Sequence, residues 1–101
     1  MADADTIIDS ENSLHYRLRL YIAGSSPISV RAISNLRIIL DTYLPEKYEL
    51  KVIDIHQSPE LTREEDISAV PMLVKSVPVP KRILVGDMSN TAKVLRGLNL
   101  D

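Results

Sequence analysis

Between Leu18 and Leu40 an extended run passes straight into a helical one across Gly24-Ser25-Ser26-Pro27, and the rest of the chain is organised around that handover. Leu18, Leu20 and Ile22 alternate with Arg17, Arg19 and Tyr21, the period-2 pattern of a strand with one buried face. Gly24 supplies a backbone free to turn. Ser25 or Ser26 can cap a helix, and Pro27 suits its first turn, where no amide partner is lost. Ala32, Ile33, Leu36, Ile39, Leu40 and Tyr43 then recur at three- and four-residue steps, the apolar stripe of an amphipathic helix. A strand feeding such a helix packs it back on a sheet, so this is the first half of a βαβ unit.

The rest of the chain must complete one small core. Its 101 residues suit a single domain, and 45% hydrophobic with 26% charged residues is ordinary for a globular protein. With four Tyr and neither Phe nor Trp, the core has to be built from Ile, Leu and Val. A formal net charge of -2 argues against nucleic-acid binding, which usually needs a basic face. No apolar run approaches the ~20 residues that span a bilayer. Residues Met1 to Asn12 are acidic and small-residue-rich, so a flexible tail is expected there, with the domain over 13–101. That segment lacks the basic start and apolar middle of a signal peptide, which points to the cytoplasm. The absence of Cys excludes disulfides, thiolate catalysis and thiolate metal ligands.

In chain order, the pattern predicts a strand over Leu14 to Ile22 and a helix from Pro27 to Leu44, stopped by Pro45. A second strand follows over Tyr48 to Ile55, apolar on both sides like a buried parallel strand. Ser58-Pro59-Glu60 starts a short helix expected to reach Ile67, with Thr62 to Asp66 as its solvated charged side. Met72 to Val77 and Lys81 to Val85 form a hairpin about Pro78-Val79-Pro80. Thr91 to Leu98 is a final helix, capped by Ser89 or Asn90. The order β-α-β-α-β-β-α is the thioredoxin-like arrangement: a four-stranded mixed sheet, its third strand antiparallel, with helices expected on both faces. Val70-Pro71 enters the third strand where such folds often place a cis proline, and the sequence leaves the isomer open.

Chemistry is sparse. A thioredoxin-like enzyme holds its reactive Cys where this chain has Gly24-Ser25-Ser26-Pro27, and a serine cannot exchange disulfides. A nucleophilic Ser25 or Ser26 needs a neighbouring base, and none is near in sequence. His15 and His56 fit no metal-ligand spacing, and Glu64-Glu65-Asp66 reads as a solvated face rather than a catalytic pair. No cofactor or metal is expected. The residues describe a small non-catalytic α/β domain, a binding module.

Several blocks, in one order, carry a resemblance. Tyr21-Ile22-Ala23-Gly24, Ser26-Pro27, Ser29-Val30-Arg31-Ala32, Leu50-Lys51-Val52-Ile53-Asp54, Ser58-Pro59-Glu60-Leu61, Ala69-Val70-Pro71 and the run from Ile83 to Leu100 together resemble the KaiB family of circadian-clock proteins. The resemblance implies a non-enzymatic protein that binds a KaiC-like ATPase hexamer, helps capture KaiA and displaces the sensor kinase SasA. It also implies fold switching after the second strand between a thioredoxin-like monomer and a homotetramer with a rearranged C-terminal half. Pro71, Pro78 and Pro80 are the prolines that take part. The family often has three successive prolines at Pro78-Val79-Pro80, and commonly Asp where Asn99 stands. By the same resemblance Tyr16, Arg31, Tyr48 and Lys51 belong to the regions that contact KaiC or KaiA. Two other functions fit the sequence: a KaiB paralogue in stress signalling without a daily rhythm, and a cysteine-less glutathione-type enzyme using Ser25 or Ser26.

Overall fold

The computed structural model describes residues 15–63 and 65–100. The tail expected over residues 1–12, and the domain boundary after it, lie outside the described residues. Strands β1 (Tyr16–Ile22), β2 (Tyr48–Asp54), β3 (Met72–Val77) and β4 (Arg82–Val85) form one sheet in the order β2-β1-β3-β4. β1 runs parallel to β2 and antiparallel to β3, which pairs antiparallel with β4. Helix α1 (Pro27–Tyr43) makes the crossover from β1 to β2, and helix α2 (Thr91–Gly97) follows β4.

The period-2 pattern of β1 sorts the core into two clusters. Leu18, Leu20 and Ile22 join Leu73 of β3 beneath Ala32, Leu36, Ile39 and Leu40 of α1 and Val94 and Leu98 of the last helical segment. The other side of the sheet holds a smaller cluster of Tyr21, Ile53, Met72 and Val74, closed by Ile55, Ile67 and Val70. Both α-helices lie on one face. The opposite face is covered only in part, by the chain between β2 and β3.

That segment is where sequence and structure part most clearly. The helix expected to reach Ile67 is a single 3₁₀ turn, Pro59–Thr62, and Ser58 makes no side-chain cap. Thr62 Oγ1 donates to the Pro59 carbonyl at 2.7 Å, a local bond that competes with helix propagation. Ile67 and Val70 are then drawn over the sheet as apolar cover. The charged side expected over Thr62 to Asp66 changes accordingly: Glu65 is mostly buried and pairs with Lys81 Nζ at 2.9 Å. Lys81, expected within the fourth strand, thus precedes β4.

The helix ends follow their sequence signals closely. Ser26 Oγ accepts the Ser29 amide of α1, and Asn90 Oδ1 accepts the Lys93 amide of α2. Leu44 closes α1 just before Pro45, its N–H donating to the Leu40 carbonyl at 2.7 Å. Past α2, the Asn99 amide reaches the Arg96 carbonyl and the Leu100 amide the Leu95 carbonyl, with Asn99 at φ 61°. This is a Schellman termination, which needs a left-handed residue at that position.

Candidate functional site

The β1–α1 turn occupies the place where a thioredoxin holds its thiols, and here its polar groups are engaged in holding the turn. Gly24 sits at φ 63°. The Ser26 hydroxyl donates to Ser29 Oγ at 2.9 Å, and Ser29 Oγ accepts the Ala23 amide. The neighbouring Asp54 carboxylate at the end of β2 accepts from the Gly24 and His56 amides, at 3.2 and 2.9 Å. These bonds, the one from His56 first, hold its carboxyl below the usual carboxylate range. Among the described residues no three His, Asp or Glu gather as a metal site would need. Neither serine has a base aligned on it by any of these bonds.

The four residues singled out by resemblance are distributed over the two sides of the sheet. Tyr16 is 7% exposed, and its hydroxyl donates to the Leu98 carbonyl at 2.8 Å. Burial raises its pKa. That packing joins the start of β1 to the end of α2 through Tyr16. Tyr48 packs against the edge of the larger cluster and donates to Asp41 Oδ1 at 2.6 Å, the bond that chiefly raises its pKa.

Arg31 lies on the exposed side of α1, with its Nε 3.7 Å from Asp87 Oδ2. Asp87 is also held by other bonds: its side chain accepts the Ser89 amide and its carbonyl accepts Asn35 Nδ2 at 2.9 Å. Hydrogen bonding to Ser89, ahead of the charge of Arg31, lowers the Asp87 pKa. α1 is thereby tied to the loop leading into α2.

Lys51 is exposed on the opposite side of the sheet, beside Arg19 in the register of β1 and β2. It lines a cleft of about 460 Å³ with Arg17, Arg19, Glu49, Ser76 and Val77. Arg31 and Tyr48 thus belong to the helical side, and Lys51 to the other. The link between Tyr48 and Lys51 is β2, the outer strand on that edge of the sheet. The three prolines flank β3 and its hairpin, and the bonds Val70–Pro71, Val77–Pro78 and Val79–Pro80 are all cis. Pro71 is buried, and its carbonyl accepts the Gly86 amide at 3.0 Å.

A model of the KaiB domain matches residues 19–100. This chain belongs to the KaiB family. Relatives named circadian clock oscillator protein KaiB are 49% identical in Picosynechococcus sp. and 47% in Synechococcus elongatus. Each alignment covers 84% of this chain, and 82% and 83% of the respective relative. Among solved structures, the N-terminal domain of SasA from Synechococcus elongatus superimposes with a TM-score of 0.67 at 21% identity, over 86% of each chain. Fasciola hepatica thioredoxin gives 0.69 at 16% identity, over 97% of this chain and 90% of its own. These two likenesses show the fold: this chain has a thioredoxin-like architecture.

Two features of this KaiB-family chain escaped the sequence pattern. Asp54 and Asp87, which the sequence pattern did not single out as site residues, both accept turn amides beside the helix termini. Lys75 is 1% exposed, and its ammonium group finds no hydrogen-bond partner among the described residues. A signal existed for Lys75. Alternation across Met72 to Val77 puts it on the side of Leu73, and register places it between Leu18 and Arg82.

Proposed function

We propose that this chain is a non-catalytic clock component that docks on a KaiC-like ATPase hexamer and, once docked, helps sequester KaiA and displace SasA. Membership of the KaiB family over residues 19–100 is the observation that carries the proposal. The β1–α1 turn supports it: where a redox enzyme would place a thiolate, Ser26 caps the helix and bonds to the Ser29 hydroxyl. Tyr16, Arg31 and Tyr48 on the helical side, with Lys51 across β2, form the proposed contact residues. Fold switching is part of the same proposal. The chain after β2 would rearrange in a homotetrameric state, with Pro71, Pro78 and Pro80 taking part. No helix among the described residues is long and apolar enough to cross a membrane, and a cytoplasmic site of action is proposed with the partners.

The test is sedimentation of the full chain with an assembled KaiC hexamer in the presence of ATP. A co-sedimenting complex is expected. Arg31→Ala and Lys51→Glu should each weaken it by more than ~1 kcal/mol, the scale that marks a contributing interface residue. The Arg31–Asp87 pair is solvent-screened, so the melting transition should move little in either variant. Absence of a complex at any hexamer concentration would reject the function. Full-strength binding by both variants would remove the two residues from the contact.

A further inference from the structure

β4 is the outermost strand of the sheet, and beyond it the edge is open. The Gly86 amide donates to the Pro71 carbonyl at 3.0 Å, and the β3–β4 register sets Leu84 opposite Leu73 and Arg82 opposite Lys75. Along an antiparallel strand, alternate residues turn their backbone groups toward the neighbour. Arg82 and Leu84 therefore bond inward to β3, while Ile83 and Val85 aim their N–H and C=O groups outward. Among the described residues no hydrogen bond reaches those outward groups. The side chains of the same two residues are 49% and 43% exposed. They lie on the face where Val74 and Met72, their neighbours on β3, are buried.

This edge complements itself. With a second copy of β4 set antiparallel and the two-fold axis at Leu84, Ile83 faces Val85 of the second copy and Val85 faces its Ile83. The outward groups of both residues are then paired, through four backbone bonds in all. Two β-branched apolar pairs form on the face of Met72 and Val74, a favourable cross-strand combination. In that register Gly86 of the second copy stands opposite Arg82 and leaves its side chain room. Lys81 stands opposite Asp87 of the second copy, so no like charges face each other. Joining β4 to the other free edge, β2, would be a head-to-tail contact that propagates, whereas the β4 pairing closes at two copies.

We propose that two copies of the thioredoxin-like chain pair through β4 into one continuous eight-stranded sheet. β4 has four residues, so the contact is small and transient, in the class of interfaces below about 1,200 Å². Each edge bond gains only modestly over solvation by water, and four of them correspond to a dissociation constant on the order of 1 mM. At micromolar concentration the chain is therefore a monomer. The contact differs from the homotetramer proposed above, because it needs the β3–β4 hairpin as it stands here. It rests on the geometry of the edge and not on the clock partners.

The test is amide NMR and sedimentation equilibrium of the full chain at about 50 µM and about 2 mM, which bracket that constant. At the higher concentration the amides of Ile83, Leu84 and Val85 should shift, and the mean mass should rise by about half. In a mixture of labelled and unlabelled chains, intermolecular NOEs should join Ile83 of one copy to Val85 of the other. Val85→Pro removes an outward N–H that β3 does not use, and Ile83→Lys puts a charge on the edge. Each should weaken association at least about tenfold while the dilute spectrum stays that of the wild type outside β4. If Val85→Pro does not fold, Ile83→Lys decides alone. A monomer mass with unchanged amides at the higher concentration, NOEs that join β4 to β2, or full association of Ile83→Lys would overturn the proposal.

Discussion

Lys75 is the residue most at odds with its surroundings. It lies on the helix-bearing side of the sheet, and its amine has no hydrogen-bond partner among the described residues. Burial, with the neighbouring Arg82 charge second, lowers its pKa from the ordinary lysine value. Because the folded chain binds that proton less tightly than the unfolded chain, the group opposes folding wherever it is protonated in the unfolded state. The opposition weakens as pH rises from the folded pKa toward about 10.4, the unperturbed value. Lys75→Met keeps the volume and removes the unpaired group. It should stabilise the chain by about 1–3 kcal/mol near neutral pH, the cost of leaving a buried polar group unsatisfied. Thermal melts of wild type and variant should show that advantage shrinking as pH approaches 10. A variant that melts at or below the wild type at neutral pH would refute the account.

Among the elements, α2 shows how termination depends on a single conformation. It is only seven residues long, too short to persist without tertiary support. Asn90 satisfies its first turn, and the Schellman bonds through Asn99 and Leu100 satisfy its last. Asn is one of the few residues that enters the left-handed region easily. This gives a structural reason for Asn99 that a count of charge at the helix end does not supply. Asn99→Gly should leave stability nearly unchanged, whereas Asn99→Val should lower it by about 1–2 kcal/mol, the penalty for a side chain at positive φ. Urea titrations compare the two. Equal losses in both variants would mean that the Asn99 side chain, rather than its backbone angle, holds the end of α2.

In the whole molecule the thioredoxin-like arrangement closes its own larger core. Tyr16 reaches Leu98, and Val94 and Leu98 sit beneath the sheet beside α1. Gly97 shows how tight that docking is: a Cβ there would lie 2.7 Å from a methyl of Leu84 on β4. A chain so closed is expected to populate the thioredoxin-like monomer substantially without a partner. Helical carbon shifts over residues 91–97, strand shifts over 72–77 and a monomer mass by light scattering should appear together. Strand shifts in the last segment with a tetramer mass would show that the competing arrangement dominates.

What the sequence determined by itself was whatever local chemistry can encode. Alternation defined β1, the apolar stripe and Ser26-Pro27 defined α1, and Pro45 stopped it, because capping and periodicity act within a few residues. The blocks that resemble the KaiB family were legible for the same reason, being contiguous. Tertiary structure alone decided the rest. A 3₁₀ turn replaced the expected helix after β2 because Ile67 and Val70 were needed over Met72 and Val74, so packing overrode a good helix start. The contact residues were only partly legible, since sequence does not say which side of a sheet a strand residue meets until its neighbours are known. That pairing buried Tyr16, separated Lys51 from Arg31, and placed Lys75 between Leu18 and Arg82.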